Sequence, residues 1–179
     1  MAKKVTVIST SIRPNSNSEL LAKSFAEGAE AAGNEVTFVT LKDKDIRFCR
    51  GCLSCHQTGK CIIQDDVAPI MDAVLQADVV AWATPIYYFE MSGQMKTLID
   101  RMNPMYPKDY RFRDVYFLAT AADEGDDVFA KAETGLTGWL DCFPKTTLKG
   151  SVYCGGVTGG GAISGNAKLA EARALGAQV

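Results

Sequence analysis

The chain has 179 residues, 47% of them hydrophobic and 22% charged, and a net charge of −2. That length suits one ordinary domain spanning residues 1–179, and the composition is that of a globular protein, which excludes intrinsic disorder. No basic field exists to hold nucleic acid or an anionic membrane, so neither is expected as a partner.

Met1-Ala2-Lys3-Lys4 leads into an apolar run over residues 5–9, too short for a signal h-region or a membrane span, and a cytoplasmic location is expected. That run reads as the first strand. Residues 19–32 follow as a helix, with Leu21, Phe25 and Ala29 at four-residue spacing and Gly33-Asn34 as its stop. Residues 35–41 are β-branched and apolar, a second strand. After a cysteine-rich loop, Asp65-Asp66 can cap a helix carrying Val67, Ile70, Met71, Val74 and Leu75 on one face. Residues 78–83 are almost continuously apolar, as a strand buried on both faces must be, and Met91, Met95, Leu98, Ile99 and Met102 then repeat at helical spacing. That methionine-rich face is expected to serve self-association. Residues 114–121 form the fourth strand, residues 128–143 a helix that Gly135 and Gly138 weaken in its middle, residues 147–155 the fifth strand and residues 166–175 the closing helix. Strands alternating with helices predict an α/β fold: a doubly wound, five-stranded parallel sheet of order 2-1-3-4-5 with helices on both faces.

In such sheets ligands bind beyond the carboxyl ends of the strands where the order reverses, which directs attention to the loop after the first strand. It reads Ser9-Thr10-Ser11-Ile12-Arg13-Pro14-Asn15-Ser16-Asn17-Ser18, with five serine and threonine hydroxyls, two amides and a guanidinium just before a helix. Unpaired N–H groups and the helix dipole favour an anion there, and phosphate suits the residue types. Helix capping is the alternative, since Ser16 and Glu19 have the spacing of a capping box. Neither a G-x-G-x-x-G fingerprint nor a P-loop is present.

Four of the six cysteines crowd into thirteen residues as Cys49-x2-Cys52-x2-Cys55-x5-Cys61. Such clustering favours metal or redox chemistry over structural bridges, and the compact spacing suits a [4Fe–4S] cluster better than zinc, whose fingers separate two cysteine pairs more widely. The other reading is a loop of reduced thiols or a labile disulfide. Cys142 and Cys154 read as small core residues. His56, the one histidine, reads as a solvated loop residue.

With these motifs in order, the chain resembles the NAD(P)H-dependent FMN reductase and iron-sulfur flavoprotein group of the flavodoxin-like superfamily. Ser11-Ile12-Arg13 with Asn17-Ser18 is similar to that group's phosphate loop, and Thr84-Pro85-Ile86-Tyr87-Tyr88-Phe89 to its flavin-ring loop after the third strand. Gln94-Met95-Lys96 and Asp100-Arg101 extend the match, and the cysteine spacing with Gly51 and Asp65-Asp66 resembles the iron-sulfur members. The resemblance implies FMN held by Ser9, Ser11, Arg13, Ser16, Asn17 and Ser18 at the phosphate. It implies Pro85, Ile86, Tyr87, Tyr88 and Phe89 at the ring, and Thr120, from the small-residue end of the fourth strand, approaching it.

It further implies an oxidoreductase that takes a hydride from NAD(P)H and reduces a flavin, quinone or other small-molecule electron acceptor, with no catalytic side chain because the flavin carries the chemistry. Cys49, Cys52, Cys55 and Cys61 are the candidate ligands of a [4Fe–4S] cluster. An electron carrier between FMN and a ferredoxin-like partner is the competing function, and a cofactor-free interaction module the third. A homodimer or homotetramer is expected.

Overall fold

The computed structural model describes residues 2–179, with Asp126 described by its backbone alone. In chain order the elements are β1 (Lys4–Ser9), α1 (Asn17–Ala31), β2 (Glu35–Thr40), α2 (Ser54–Thr58), α3 (Val67–Gln76), β3 (Val79–Tyr87), β4 (Glu90–Met91), α4 (Gly93–Arg101), a 3-10 turn (Asn103–Met105), β5 (Asp114–Thr120), α5 (Asp126–Leu140), β6 (Thr147–Cys154) and α6 (Ala167–Gly176). Parallel strands lie in the order β2-β1-β3-β5-β6, and the short β4 pairs antiparallel with the end of β3. With β4 set aside this is the expected doubly wound order. The reversal falls between β1 and β3, which are paired from Val5↔Val79 to Ser9↔Ala83.

Alternation along the central strands makes two cores. Val5, Val7, Val79, Ala81, Ala83, Tyr116 and Leu118 point to one face and pack with Leu21, Phe25 and Ala29 of α1 and Ala172 of α6. Ile8, Val80, Trp82, Val115 and Phe117 point to the other and meet α3, α4 and α5. Successive strand side chains alternate faces, so strands covered by helices on both sides must be apolar at nearly every position. The methionines read as a self-association face, Met91, Met95 and Met102, belong to the second core and are buried within the chain.

Several local signals resolve differently from expectation. Met91 is in β4 rather than in the helix, because Ser92 caps α4 by accepting a hydrogen bond from the Met95 N–H at 3.3 Å. At α3 the N-cap Asp66 makes no side-chain cap bond but accepts from the Asp45 N–H, while Asp65 Oδ1 accepts from the Val67 N–H. Helix α5 runs unbroken through Gly135 because the glycine makes room for the Glu90 carboxylate: a Cβ there would lie 2.6 Å from Glu90 Oε1. Cys154 is buried as expected. Cys142 is exposed, since it lies past the end of α5, with its Sγ on the Gly138 carbonyl.

Helices α1 and α6 touch backbone to backbone. A Cβ on Gly28 would sit 2.0 Å from the Arg173 carbonyl oxygen, and one on Gly176 would sit 2.0 Å from that of Phe25. Neither clash involves a side chain that could rotate away, so the helices themselves must separate. Gly28→Ala is expected to lose about 1–3 kcal/mol of stability, the usual penalty for overpacking, despite its better helix propensity. Urea unfolding would check this; an unchanged or raised midpoint would contradict the contact.

Candidate functional site

At the carboxyl ends of β1, β3 and β5 three segments converge. The first is the loop after β1. Ser9 Oγ is buried with no hydrogen-bond partner among the described residues. Thr10 donates both its N–H and its hydroxyl to the Ala83 carbonyl, each at 2.9 Å, and its Oγ1 lies 3.3 Å from Ser92 Oγ. Ser16 caps α1 by accepting from the Glu19 N–H and lies 3.0 Å, oxygen to oxygen, from Ser18. No hydrogen bond among the described residues occupies the N–H of Asn17 or Ser18, the first two of α1. Capping therefore does not use up the helix end: Ser16 serves one donor and others stay open.

Residues 155–165 wall this loop. The Asn17 side chain donates to the carbonyls of Val157 and Gly159 at 3.1 and 2.8 Å and accepts from the Ile163 N–H. Arg13 places Nη1 on the Thr158 carbonyl at 2.7 Å, and the Gly161 N–H bonds the Asn15 carbonyl. What Asn17 offers an anion is thus its backbone N–H, since its amide is committed to the wall. Arg13 is exposed and keeps its remaining donors.

Across the crevice stands the β3–β4 hairpin. Thr84 and Ser92 are buried and doubly joined, Ser92 N–H to Thr84 Oγ1 at 3.0 Å and Thr84 Oγ1 to Ser92 Oγ at 3.1 Å. Pro85 pairs in register with Thr120, which is buried at the end of β5, and Ile86 turns into the core. Tyr87 and Phe89 are about half exposed and Tyr88 wholly so. Tyr88 and Phe89 form the two-residue turn with φ of 52° and 65°, where glycine or asparagine is usual. Such conformations cost of order 1–3 kcal/mol and cluster where ligands bind. The turn is braced by Lys131 Nζ, 3.9 Å from the centre of the Phe89 ring, and by Glu90 against Gly135.

The sequence reading passed over Thr10, Thr84 and Ser92 as site-builders. Ser92 had a signal, a serine just before an amphipathic repeat, but its bonds to Thr10 and Thr84 are contacts that only the fold creates.

The third element is the cysteine loop, placed after β2. Cys49 and Cys52 are exposed, Cys61 is half-buried and Cys55 is buried, all as free thiols, and all four line one narrow cavity with Arg101 and Asn103. Three of the four sulfurs accept a hydrogen bond. Gly51 N–H reaches Cys49 at 3.5 Å, Asn103 Nδ2 reaches Cys55 at 3.6 Å and Arg101 Nη2 reaches Cys61 at 3.5 Å. The Ser54 N–H and hydroxyl hold the Cys52 thiol below its ordinary range. Among the described residues no three of the His, Cys, Asp and Glu side chains converge on a point that could hold a single ion. His56 is exposed, stacked on Tyr106, with Nε2 3.5 Å from Asn103 Oδ1.

A buried ion pair fastens this loop to α4. Arg101 meets Asp65 through both terminal nitrogens, at 2.5 and 3.0 Å, with each side chain 1% exposed, and Arg101 Nη1 also bonds the Arg47 carbonyl. Burial alone would push the Asp65 carboxyl up, but Arg101 and the N–H groups of Arg47 and Val67 hold it below the usual carboxylate range. Asp65 in turn raises Arg101.

The parallel sheet, its switch-point crevice, the hydroxyl-rich helix end and the aromatic hairpin together define a flavodoxin-like α/β protein. The chain belongs to the family described as NADPH-dependent FMN reductase, which it matches over residues 3–153. It is 38% identical over 102 residues to an iron-sulfur flavoprotein of Methanocaldococcus jannaschii, a match covering 57% of this chain and 53% of that one. Matches to the curated relatives cover between 32% and 58% of those proteins' lengths. In structure it is similar to an azoreductase from Bacillus anthracis, with a TM-score of 0.74 over 100% of both chains at 16% identity. It is also similar to an NAD(P)H:quinone oxidoreductase from Methanothermobacter marburgensis, with a TM-score of 0.73 at 16% identity over 99% of this chain and 97% of that one. These likenesses show the fold. No helix among the described residues is long and apolar enough to cross a membrane.

Removing one partner of the buried pair should be costly. Asp65→Asn leaves Arg101 charged and unpaired, and a loss of about 3–5 kcal/mol is expected. Because the folded-state pKa of Asp65 lies below its unfolded value, its contribution is present above about pH 4 and is lost as pH falls through the folded value. Wild type and Asp65→Asn should therefore converge in stability toward acid, measured by denaturant titration from neutral pH downward; a gap independent of pH would refute the pairing.

Proposed function

We propose that this protein is an FMN-dependent oxidoreductase that takes a hydride from NAD(P)H and delivers electrons to a flavin, quinone or other small acceptor. The observation that carries the reading is the open helix end of α1 facing, across the β1/β3 switch point, a hairpin that exposes Tyr87, Tyr88 and Phe89. The residues fit the cofactor: Ser9 Oγ lacks a partner among the described residues, no carboxylate occurs in residues 9–18, and the hydroxyls of Ser11, Ser16 and Ser18 crowd the helix start. Ser9, Ser11, Ser16 and Ser18 with the N–H groups of Asn17 and Ser18 would hold the phosphate, and Arg13 would screen it from outside. Pro85, Ile86 and Thr120 would supply backbone and small-residue contacts to the ring edge, and the exposed aromatics of the hairpin would cover its face.

FMN, when bound, accepts a hydride from a reduced nicotinamide and can release the two electrons together or singly. The chain's task is to bind, orient and keep the site open on one side, so no side-chain acid or base is assigned. NADPH or NADH should bleach the visible flavin bands of the anaerobic FMN-loaded protein, and failure with both would end the enzyme reading. Ser11→Ala and Ser18→Ala should each weaken FMN binding roughly 10- to 100-fold, since a hydrogen bond to a charged group is worth about 1.5–3 kcal/mol. Quenching of flavin fluorescence measures it; unchanged affinity in both variants would remove the loop from the phosphate.

A second reading, an electron carrier passing single electrons between FMN and a ferredoxin-like partner through a [4Fe–4S] cluster, is favoured by the cysteine loop. Its four sulfurs line one cavity and three of them accept a hydrogen bond, the surroundings of thiolate ligands rather than of core cysteines. The cavity, at about 20 Å³, is narrow, so the loop would have to open to take a cluster. Anaerobic purification followed by iron and acid-labile sulfide analysis should find four of each per chain. Neither element above background would leave the thiols as thiols.

Assembly as a homodimer or homotetramer is part of the proposal. With the α4 methionines committed to the core, its support is the exposed Ile12 and Phe48, which line a cavity of about 360 Å³ with Leu41 and Ile46.

A further inference from the structure

The end of the cysteine loop borders a second cavity, and of the four cysteines only Cys61 lines it. It lies between residues 59–65, the first two turns of α3 and the segment after α4, and holds about 380 Å³. That is within the roughly 300–1,000 Å³ usual for small-molecule sites. Ile63, Val67, Met71 and Pro104 make an apolar lining, and Arg101 closes one wall. The charge of Arg101 is already met by Asp65, and its Nε is a buried donor with no hydrogen-bond partner among the described residues.

Two ammonium groups from distant parts of the chain border this apolar space. Lys60 is presented by the turn that ends α2: Gly59 is the left-handed C-cap, with φ 68°, and Thr58 Oγ1 accepts from the Lys60 N–H. Lys108 is held by its own N–H on the Met105 carbonyl at 2.8 Å. Its stem runs beside the same turn, since a Cβ on Gly59 would lie 3.7 Å from Lys108 Cε. Seven other lysines pair with carboxylates, but among the described residues neither Lys60 nor Lys108 is ion-paired. Besides Asp65, which Arg101 occupies, the lining holds one carboxylate, the exposed Asp72. The rim therefore keeps an excess of positive charge over an apolar interior, and the complement of that pair of features is an anion with an apolar body.

We propose that this cavity binds a small organic monoanion, an aromatic or medium-chain carboxylate, with its ring or chain against Ile63, Val67, Met71 and Pro104 and its carboxylate between Lys60 and Lys108. Such a ligand joins the cysteine loop, through Lys60, to the segment before β5, through Lys108, and so favours the closed loop. The site shares no residue with the phosphate loop or the aromatic hairpin, and it rests on neither the flavin nor the cluster reading.

The test is calorimetric titration of the FMN-saturated full chain with 2-naphthoate, with 2-naphthamide as its uncharged counterpart and octanoate as the open-chain acid. 2-Naphthoate should bind one equivalent with a Kd below about 1 mM, and the amide about tenfold more weakly. Lys60→Gln and Lys108→Gln should each weaken the acid about threefold and together about tenfold, leave the amide unmoved, and remove the salt dependence; Asp72→Asn should tighten the acid. Ala68→Phe, at an exposed position of α3 on the lining, fills the cavity and should abolish binding while the unfolding midpoint stays near that of wild type. Binding of octanoate alone would uphold the site and make its ligand open-chained. No binding of either acid, equal affinity for acid and amide, or an affinity untouched in the double lysine variant or in Ala68→Phe would overturn the inference. A chain that does not hold FMN would end the flavin reading and leave this one to be decided by the same variants.

Discussion

Helix α4 is pinned at each end by buried polar contacts, and the candidate chemistry of the molecule is hung from those two points. At its start Ser92 is at once the helix cap, the partner of Thr84 and a neighbour of Thr10, so one hydroxyl ties the hairpin, the phosphate loop and the helix together. At its end Arg101 grips Asp65 and, through it, the whole cysteine loop. Nine residues separate the two, a rise of about 13 Å. Between them Met95, Leu98 and Ile99 are packed into the core, so the helix cannot slide to relieve either end. The spacing between the two sites is thereby fixed by a rigid element rather than by loops.

That rigidity is what permits strain elsewhere. A two-residue turn of tyrosine and phenylalanine in the left-handed region would not hold its shape in isolation. It persists because Thr84 and Ser92 close the base of the hairpin, Ile86 and Met91 bury its root, and Phe89 and Glu90 lean on α5. A glycine in the turn would relieve the backbone but remove the aromatic surface. The sequence keeps the aromatics, as expected where a ligand face must be covered.

Much of this was legible beforehand because it is local. Strand alternation, helical spacing and a hydroxyl-rich run before a helix are patterns within a few residues, and they placed the sheet order and both loops correctly. The misreadings share a cause, a contact from far along the chain. Met91 and Met95 look like a surface stripe until Ile8, Trp82 and Phe117 are brought over them. Gly135 looks like a helix defect until Glu90, forty-five residues earlier, lies against it. The four cysteines announce a site by spacing alone, yet spacing says nothing of Arg101 and Asn103, whose polar atoms reach the sulfurs only when α4 docks.

A chain with net charge −2 nevertheless presents two places suited to negative groups, and it does so without a basic surface. At α1 the donors are backbone N–H groups and hydroxyls, neutral groups whose directionality replaces net charge. At the cysteine loop they are a backbone N–H, a serine, an amide and one guanidinium already balanced by Asp65. Neutral or neutralised donors depend on held geometry: the start of α1 is buried and braced, and at the cysteine loop Arg101 is braced by Asp65, although Cys49 and Cys52 stay exposed. A surface lysine in the same places would attract anions of every kind; fixed dipoles select those whose oxygen or sulfur atoms match the donor positions. Selectivity in this protein is therefore a property of the packing behind the site, and substitutions in the second layer, at Ser92 or Asp65, should be felt in what the first layer can hold.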